Sequence, residues 1–185
     1  LAALFQEQGD LDTAERYAYQ AIQIDPLDAA SYITLGGILE DGSYTLSRFR
    51  RVLTDVDKAK AAAAYYWKAI QLNPRQIGSY RSWLNLQVDA GLRHRDLAPL
   101  QMALEELAHG PEAETLQGHV ALGLGYLTLE GPTDRAMSHL QQAGVLDPEF
   151  AELYAQIARA YEERMDSRLA IDSWRRYVYA ATATG

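Results

Sequence analysis

The chain has 185 residues, 48% of them hydrophobic, a net charge of −8 and no cysteine. That apolar content can bury a core and is not the composition of a disordered chain. The acidity opposes a protein that tracks nucleic-acid phosphates, and the missing thiols exclude disulfides, zinc–thiolate centres and cysteine catalysis.

In chain order, the first segment carries Ala14, Ala18, Ala21 and Pro26, separated by 4, 3 and 5 positions. The second opens on Tyr32, Leu35, Gly36 and Leu39, whose steps of 3, 1 and 3 trace one face of an α-helix, and closes on Ala62, Tyr66, Ala69 and Pro74. The third is the weakest copy: Trp83, Leu84 and Gly91 fit, Asp96 stands where Ala is expected, and Pro99 falls early enough in the following helix for Asp96 to cap it. The fourth has His119, Leu122, Gly123 and Tyr126, then Ala136, Leu140, Ala143 and Pro148. The fifth has Tyr154, Ile157, Ala158 and Tyr161, then Ala170, Trp174, Tyr177 and Thr182, which keeps the spacing and loses the proline. Each unit is thus expected to be two helices, with small pairs such as Gly36 with Ala62 and Gly123 with Ala136 letting the axes approach. Between units the chain repeats one phrase: AIQIDPLDAASY at 21–32, AIQLNPRQIGSY at 69–80 and AGVLDPEFAELY at 143–154. The residue before proline is pushed out of the α region, so one helix ends there; Asp25, Asn73 and Asp147 are expected to cap the next, with proline at its first position.

In register, these motifs resemble the tetratricopeptide repeat, whose signature sets an aromatic, Leu, Gly and Tyr on a first helix and Ala, an aromatic, Ala and Pro around a second. The resemblance covers essentially the whole chain. It implies an all-α solenoid, a right-handed superhelix of about five stacked antiparallel helix pairs in a single array, with units near 1–26 (truncated), 27–74, 75–108, 114–148 and 149–182. One pair cannot bury its apolar face alone, so neighbours stabilise each other by stacking. Leu1 falls at the seventh position of a unit and no amphipathic helix follows the fifth, so a longer parent chain or a packed, self-associating end is expected.

Pro26 to Pro74 spans 48 residues, 34 plus 14, which puts an insertion near 41–56 between the helices of the second unit. Residues 44–60 hold Arg48, Arg50, Arg51, Lys58 and Lys60 against Asp55 and Asp57, five cations less two anions, or +3. An extended or extra helix with solvated charges is the plain expectation, and a partner contact the sharper one.

Nothing in the chain spells out catalysis. His94, His109, His119 and His139 are scattered, without a metal-binding pair, and His119 sits at an aromatic packing position. Gly123, Gly125 and Gly131 follow no strand and precede no phosphate-loop lysine; close helix packing and a turn account for them. Glu105 with Glu106, and Glu162 with Glu163, read as solvated helix faces. No catalytic residue, metal or cofactor is therefore assigned, and no apolar run approaches the roughly 18 to 20 residues of a membrane span. The expected protein is soluble, of the cytoplasm or the periplasm.

By the resemblance, first-helix positions line a concave face that holds an extended peptide or a partner helix. Here they are Ile33, Gly37, Glu40 and Asp41; Arg81, Asn85, Val88 and Asp89; Val120, Leu124, Leu127 and Thr128; and Ala155, Arg159, Glu162 and Glu163. This implies a protein or peptide partner, an apolar patch between two arginines, and contacts centred on Arg81, Asn85, Val120, Leu124 and Arg159. Arg81 and Asn85 match the start of the clamp by which chaperone-binding members hold a C-terminal carboxylate, but Ala121, Glu152 and Gln156 stand where an amide and two basic residues would be needed. The reading is a non-catalytic interaction scaffold. Alternatives are a regulatory or substrate-recruiting segment of a larger enzyme and a self-association module.

Overall fold

The structure, a computed structural model, describes residues 1–47, 50–89 and 97–183. Among them are ten α-helices and one hairpin: α1 Ala2–Glu7, α2 Leu11–Ile24, α3 Ala29–Ser43, β1 Tyr44–Ser47, β2 Arg50–Leu53, α4 Val56–Leu72, α5 Ile77–Asp89, α6 Ala98–His109, α7 Leu116–Glu130, α8 Asp134–Leu146, α9 Ala151–Glu163 and α10 Ser167–Ala183. No described helix is long and apolar enough to cross a membrane. The chain forms two compact units, Leu1–Pro99 and Leu100–Gly185. In the first, α1 packs on α2, α3 on α4, and the pairs are joined by α2 on α3 and α4 on α5; in the second, α7 packs on α8, α9 on α10, and α8 on α9. Each is an all-α solenoid segment built from helix pairs.

The repeated phrase is the joint between pairs, though it works differently from the sequence expectation. Asp25, Asn73 and Asp147 close α2, α4 and α8, their backbone N–H groups donating to Ala21, Ala69 and Ala143 at 2.9, 2.8 and 2.9 Å. None of the three caps the following helix. Their side chains instead accept from the N–H two residues on, in Leu27, Arg75 and Glu149, turns that Asp and Asn make readily. The proline holds these residues in extended or near-extended backbone, so the next helix begins four residues later. For α3 the cap is Asp28, which accepts from Ala30 N, Ser31 N and Ser31 Oγ at 3.1, 3.0 and 2.6 Å. The tyrosine ending the phrase ties the joint shut: Tyr32 Oη donates to the Pro26 carbonyl at 3.2 Å and Tyr80 Oη to that of Pro74 at 2.9 Å.

Turns inside pairs use left-handed residues. Gly9, at φ +79°, follows α1, and the N–H groups of Gly9 and Asp10 return to Gln6 and Phe5. Met165, at φ +60°, makes the same return after α9, to Glu162, with Asp166 bonding Tyr161. Glycines set the approach of the helices, but the side chains they face are the large ones a turn beyond the expected alanines. A Cβ on Gly36 would meet the Tyr66 ring at 3.0 Å, and one on Gly123 would come within 2.5 Å of Leu140.

The insertion corrects a second expectation: it is a β-hairpin, with Tyr44 opposite Leu53 and Thr45 opposite Val52. Tyr44, Thr45 and Val52 are of the aromatic and β-branched types that suit strands, and the Ser43 carbonyl closes the base of the pair by accepting from Thr54 N at 2.8 Å and Asp55 N at 3.1 Å. Arg48, Gly91 and Asp96 lie outside the described residues. Pro99 is the second residue of α6, in the first turn as expected.

Candidate functional site

In the first unit, α3 presents Ile33, Gly37 and Glu40 half-buried and Asp41 exposed. Asp41 accepts from Gln6 Nε2 of α1 at 2.8 Å, and Glu40 accepts from Tyr66 Oη at 2.8 Å, so both carboxylates are held by side chains of neighbouring helices. Burial, and then the Glu40 carboxylate beside it, push the Tyr66 phenol upward, which keeps that hydroxyl a donor. On α5, Arg81 and Asn85 are both exposed and stand one turn apart, with Val88 half-buried below them and Asp89 as the last residue of the helix.

In the second unit the expected apolar patch is not at the surface. Val120 and Leu124 are 0% and 6% exposed, part of an unbroken buried run from Gly118 to Tyr126. The reason is the composition of α7, apolar on every side, which suits a helix enclosed by neighbours rather than one with a free face. Leu140 of α8 closes on Gly123, and Leu104 of α6 closes on Gly125. Leu127 is half-buried, and Thr128 is exposed with its hydroxyl donated to the Leu124 carbonyl at 2.9 Å. On α9, Ala155 is buried while Arg159, Glu162 and Glu163 are exposed; Glu162 accepts from Trp174 Nε1 of α10 at 2.8 Å. What each unit offers outward at the predicted positions is polar: Asp41, Arg81 and Asn85 in one, Thr128, Arg159, Glu162 and Glu163 in the other.

The histidines that looked scattered are partly brought together. His119 of α7 and His139 of α8 approach Nδ1 to Nδ1 at 3.0 Å, with ring centroids 5.3 Å apart, and Glu114 lies 3.6 Å from His119 Nε2. The Tyr126 ring lies tilted with its centroid 5.7 Å from that of His139, and Arg135 covers the Tyr126 ring and donates to its hydroxyl. Burial, then His119, then Arg135 hold His139 below the usual imidazole range. No group of three or more metal-ligating side chains forms among the described residues. The pair is packing, continuous with the aromatic position that His119 takes in the repeat.

A feature the sequence reading passed over is the residue just before the large side chain of each second helix. It is Tyr65 in α4, His139 in α8 and Ser173 in α10. Tyr65 meets Tyr32 and Tyr19 of the preceding helices, each at 6.3 Å, and its hydroxyl lies 3.3 Å from that of Tyr19, whose own is thereby pushed up to about 12. The register alone would have shown this column, one step from the Tyr66, Leu140 and Trp174 column already in view.

Helix pairs joined at an Asp-Pro or Asn-Pro turn, first-helix glycines against second-helix large residues, and tyrosines bonding back to the joint decide the repeat type. It is tetratricopeptide-like. No family profile and no curated protein matches the chain. Among solved structures it is similar to a crystal structure of MamA, at 17% identity over 100% of this chain and 96% of that one, with a TM-score of 0.47. A MamA structure from Desulfovibrio magneticus gives 15% identity, coverage of 98% and 92%, and a TM-score of 0.49. YrrB, described as a TPR protein with an unusual peptide-binding site, gives 16%, coverage of 97% and 82%, and 0.45. The tetratricopeptide-like assignment rests on this chain's own register and packing.

Proposed function

We propose that the protein is a non-catalytic interaction scaffold whose exposed first-helix positions take up a peptide or helix of a partner protein. The observation that carries this reading is the contrast along the first helices: their inward positions pack tightly, while Arg81 and Asn85, and separately Arg159, Glu162 and Glu163, stand exposed at the register positions that the repeat keeps for ligands. Arginine forks suit carboxylates of a partner. Val120 and Leu124 no longer belong in the contact set. The test is affinity capture with wild-type protein against Arg81→Glu and Arg159→Glu variants of unchanged helical circular dichroism. Loss of a specific partner supports the reading, and capture undiminished in both variants refutes it.

A second reading, self-association, is favoured by α10. Ile171 and Val178 are 52% and 57% exposed, an apolar face open to a second copy. Light scattering across a concentration series, with Ile171→Glu as the control, distinguishes a second copy from a hetero-partner on this face.

A further inference from the structure

The column of Tyr65, His139 and Ser173 has one member unlike the others. In the first unit the Tyr65 ring fills the space between α2, α3 and α4, against Tyr19 and Tyr32. In the second unit His139 packs against His119 and Tyr126 of α7. At the last joint the corresponding space lies between α8, α9 and α10, and Ser173 is too small to fill it. Its hydroxyl donates to the Leu169 carbonyl of its own helix at 2.8 Å, so it neither reaches across nor needs a partner there. Tyr154, the counterpart of Tyr32, turns onto α8 and donates to the Gly144 carbonyl at 3.1 Å instead of closing on the proline of its joint. The glycine permits this, since a Cβ at 144 would meet the Tyr154 ring at 3.3 Å.

What remains is a cleft of about 300 Å³ whose walls include Tyr154, Ile157, Tyr161 and Leu169, with Gln141, Ser173 and Arg176 supplying polar edges. Gln141 Nε2 donates to Tyr161 Oη at 2.6 Å, which fixes the wall on that side. The Arg176 guanidinium stands 6.0 Å from the Tyr154 ring centroid, and the rim's acid, Asp172, is engaged by Arg175 at 3.2 Å. A cavity of roughly 150 Å³ suffices for benzene, so this cleft has room for a phenol ring and its Cβ.

We propose that this cleft is a binding site for the aromatic side chain, tyrosine or phenylalanine, of a partner segment that carries an acidic residue beside it. The incoming ring takes the place that Tyr65 fills in the first unit, with Tyr154 and Gln141, the register equivalents of Tyr32 and Tyr19, among its walls, and the flanking carboxylate meets Arg176. The site is independent of the exposed positions proposed above: Arg159 and Glu163 are on the far side of α9 from Tyr154, Ile157 and Tyr161.

The experiment uses the full chain, isotopically labelled, titrated with the peptide acetyl-Asp-Tyr-Asp-amide and with the control acetyl-Asp-Ala-Asp-amide. Saturable amide shifts at Ile157, Tyr161 and Ser173 with the first peptide alone are expected. Ser173→Tyr, which copies Tyr65, should weaken binding by about tenfold or more, the effect of losing an aromatic anchor. Arg176→Glu should weaken it at low salt while the fold stays intact. Absence of saturable shifts, shifts confined to Arg159 and Glu163, or equal binding by Ser173→Tyr would overturn the proposal. If Ser173→Tyr fails to fold, undiminished binding by Arg176→Glu overturns it instead. Spectral broadening that grows with protein concentration and disappears in Ser173→Tyr would place a second copy in the cleft and overturn the assignment to a partner.

Discussion

Gly123 and Leu140 provide a direct test of how the helix pairs are held. A methyl on residue 123 would lie 2.5 Å from Leu140 Cδ2 and 2.6 Å from its Cγ, well inside the roughly 3.5 to 4.0 Å of ordinary carbon contacts. Overpacking of this kind costs about 1 to 3 kcal/mol. Alanine returns about 1 kcal/mol of helix propensity over glycine, so Gly123→Ala alone should destabilise by about 0 to 2 kcal/mol. Leu140 is fully buried, and Leu140→Ala should cost about 2 to 5 kcal/mol through lost contacts and a residual cavity. The double variant places the new methyl in the space the leucine leaves. It should therefore be less destabilised than the sum of the singles by about 1 to 2 kcal/mol. Recovery stays incomplete because the Leu140 backbone nitrogen remains 3.1 Å from the new Cβ. Urea unfolding followed by far-ultraviolet circular dichroism, with denaturant slopes compared across all four proteins, measures the cycle. Additivity within about 0.3 to 0.5 kcal/mol would show that the two residues do not set the approach of α7 and α8.

Met165 occupies the left-handed position that Gly9 takes in the equivalent turn, at φ +60° and largely exposed. A side chain there costs about 1 to 2 kcal/mol, so Met165→Gly should raise the urea midpoint despite the greater freedom of glycine in the unfolded chain; an unchanged or lowered midpoint counts against the strain. His139 is held below the ordinary value near 6.5 by burial, His119 and Arg135, opposed by Glu114. Its contribution to stability is therefore complete above that value and is lost as pH falls from it towards the folded-state value, where the unfolded chain binds the proton first. Melting temperature should drop across this window in wild type and drop less in His139→Phe, and an imidazole titration by nuclear magnetic resonance should place His139 below 6.5; a value at or above 6.5 would remove the basis of the effect.

Two of the expectations that failed, caps at Asp25, Asn73 and Asp147 and a helix in the insertion, share a cause: short polar side chains and short β-capable runs have several local solutions. In the first, Asp25 and its counterparts had the right chemistry for a cap, and the Asx turn used it one joint-length earlier. In the second, Tyr44, Thr45 and Val52 are good strand formers, but they stand in runs of only four residues between helices.

Spacing determined the helix pairs by itself, because the steps 4, 3, 5 and 3, 1, 3 fix which side chains share a helix face and proline fixes where the helix ends. Only the tertiary structure decided which of those faces stay open. Val120 and Leu124 stand at positions expected to face a ligand, yet they are interior, because α7 is apolar all round and its neighbours close over it. Ser173 reads as an ordinary polar residue until Tyr65 shows what its place holds elsewhere. Periodicity is a local property of one helix, whereas coverage depends on residues far away in the chain, and a cleft exists only where those residues fall short.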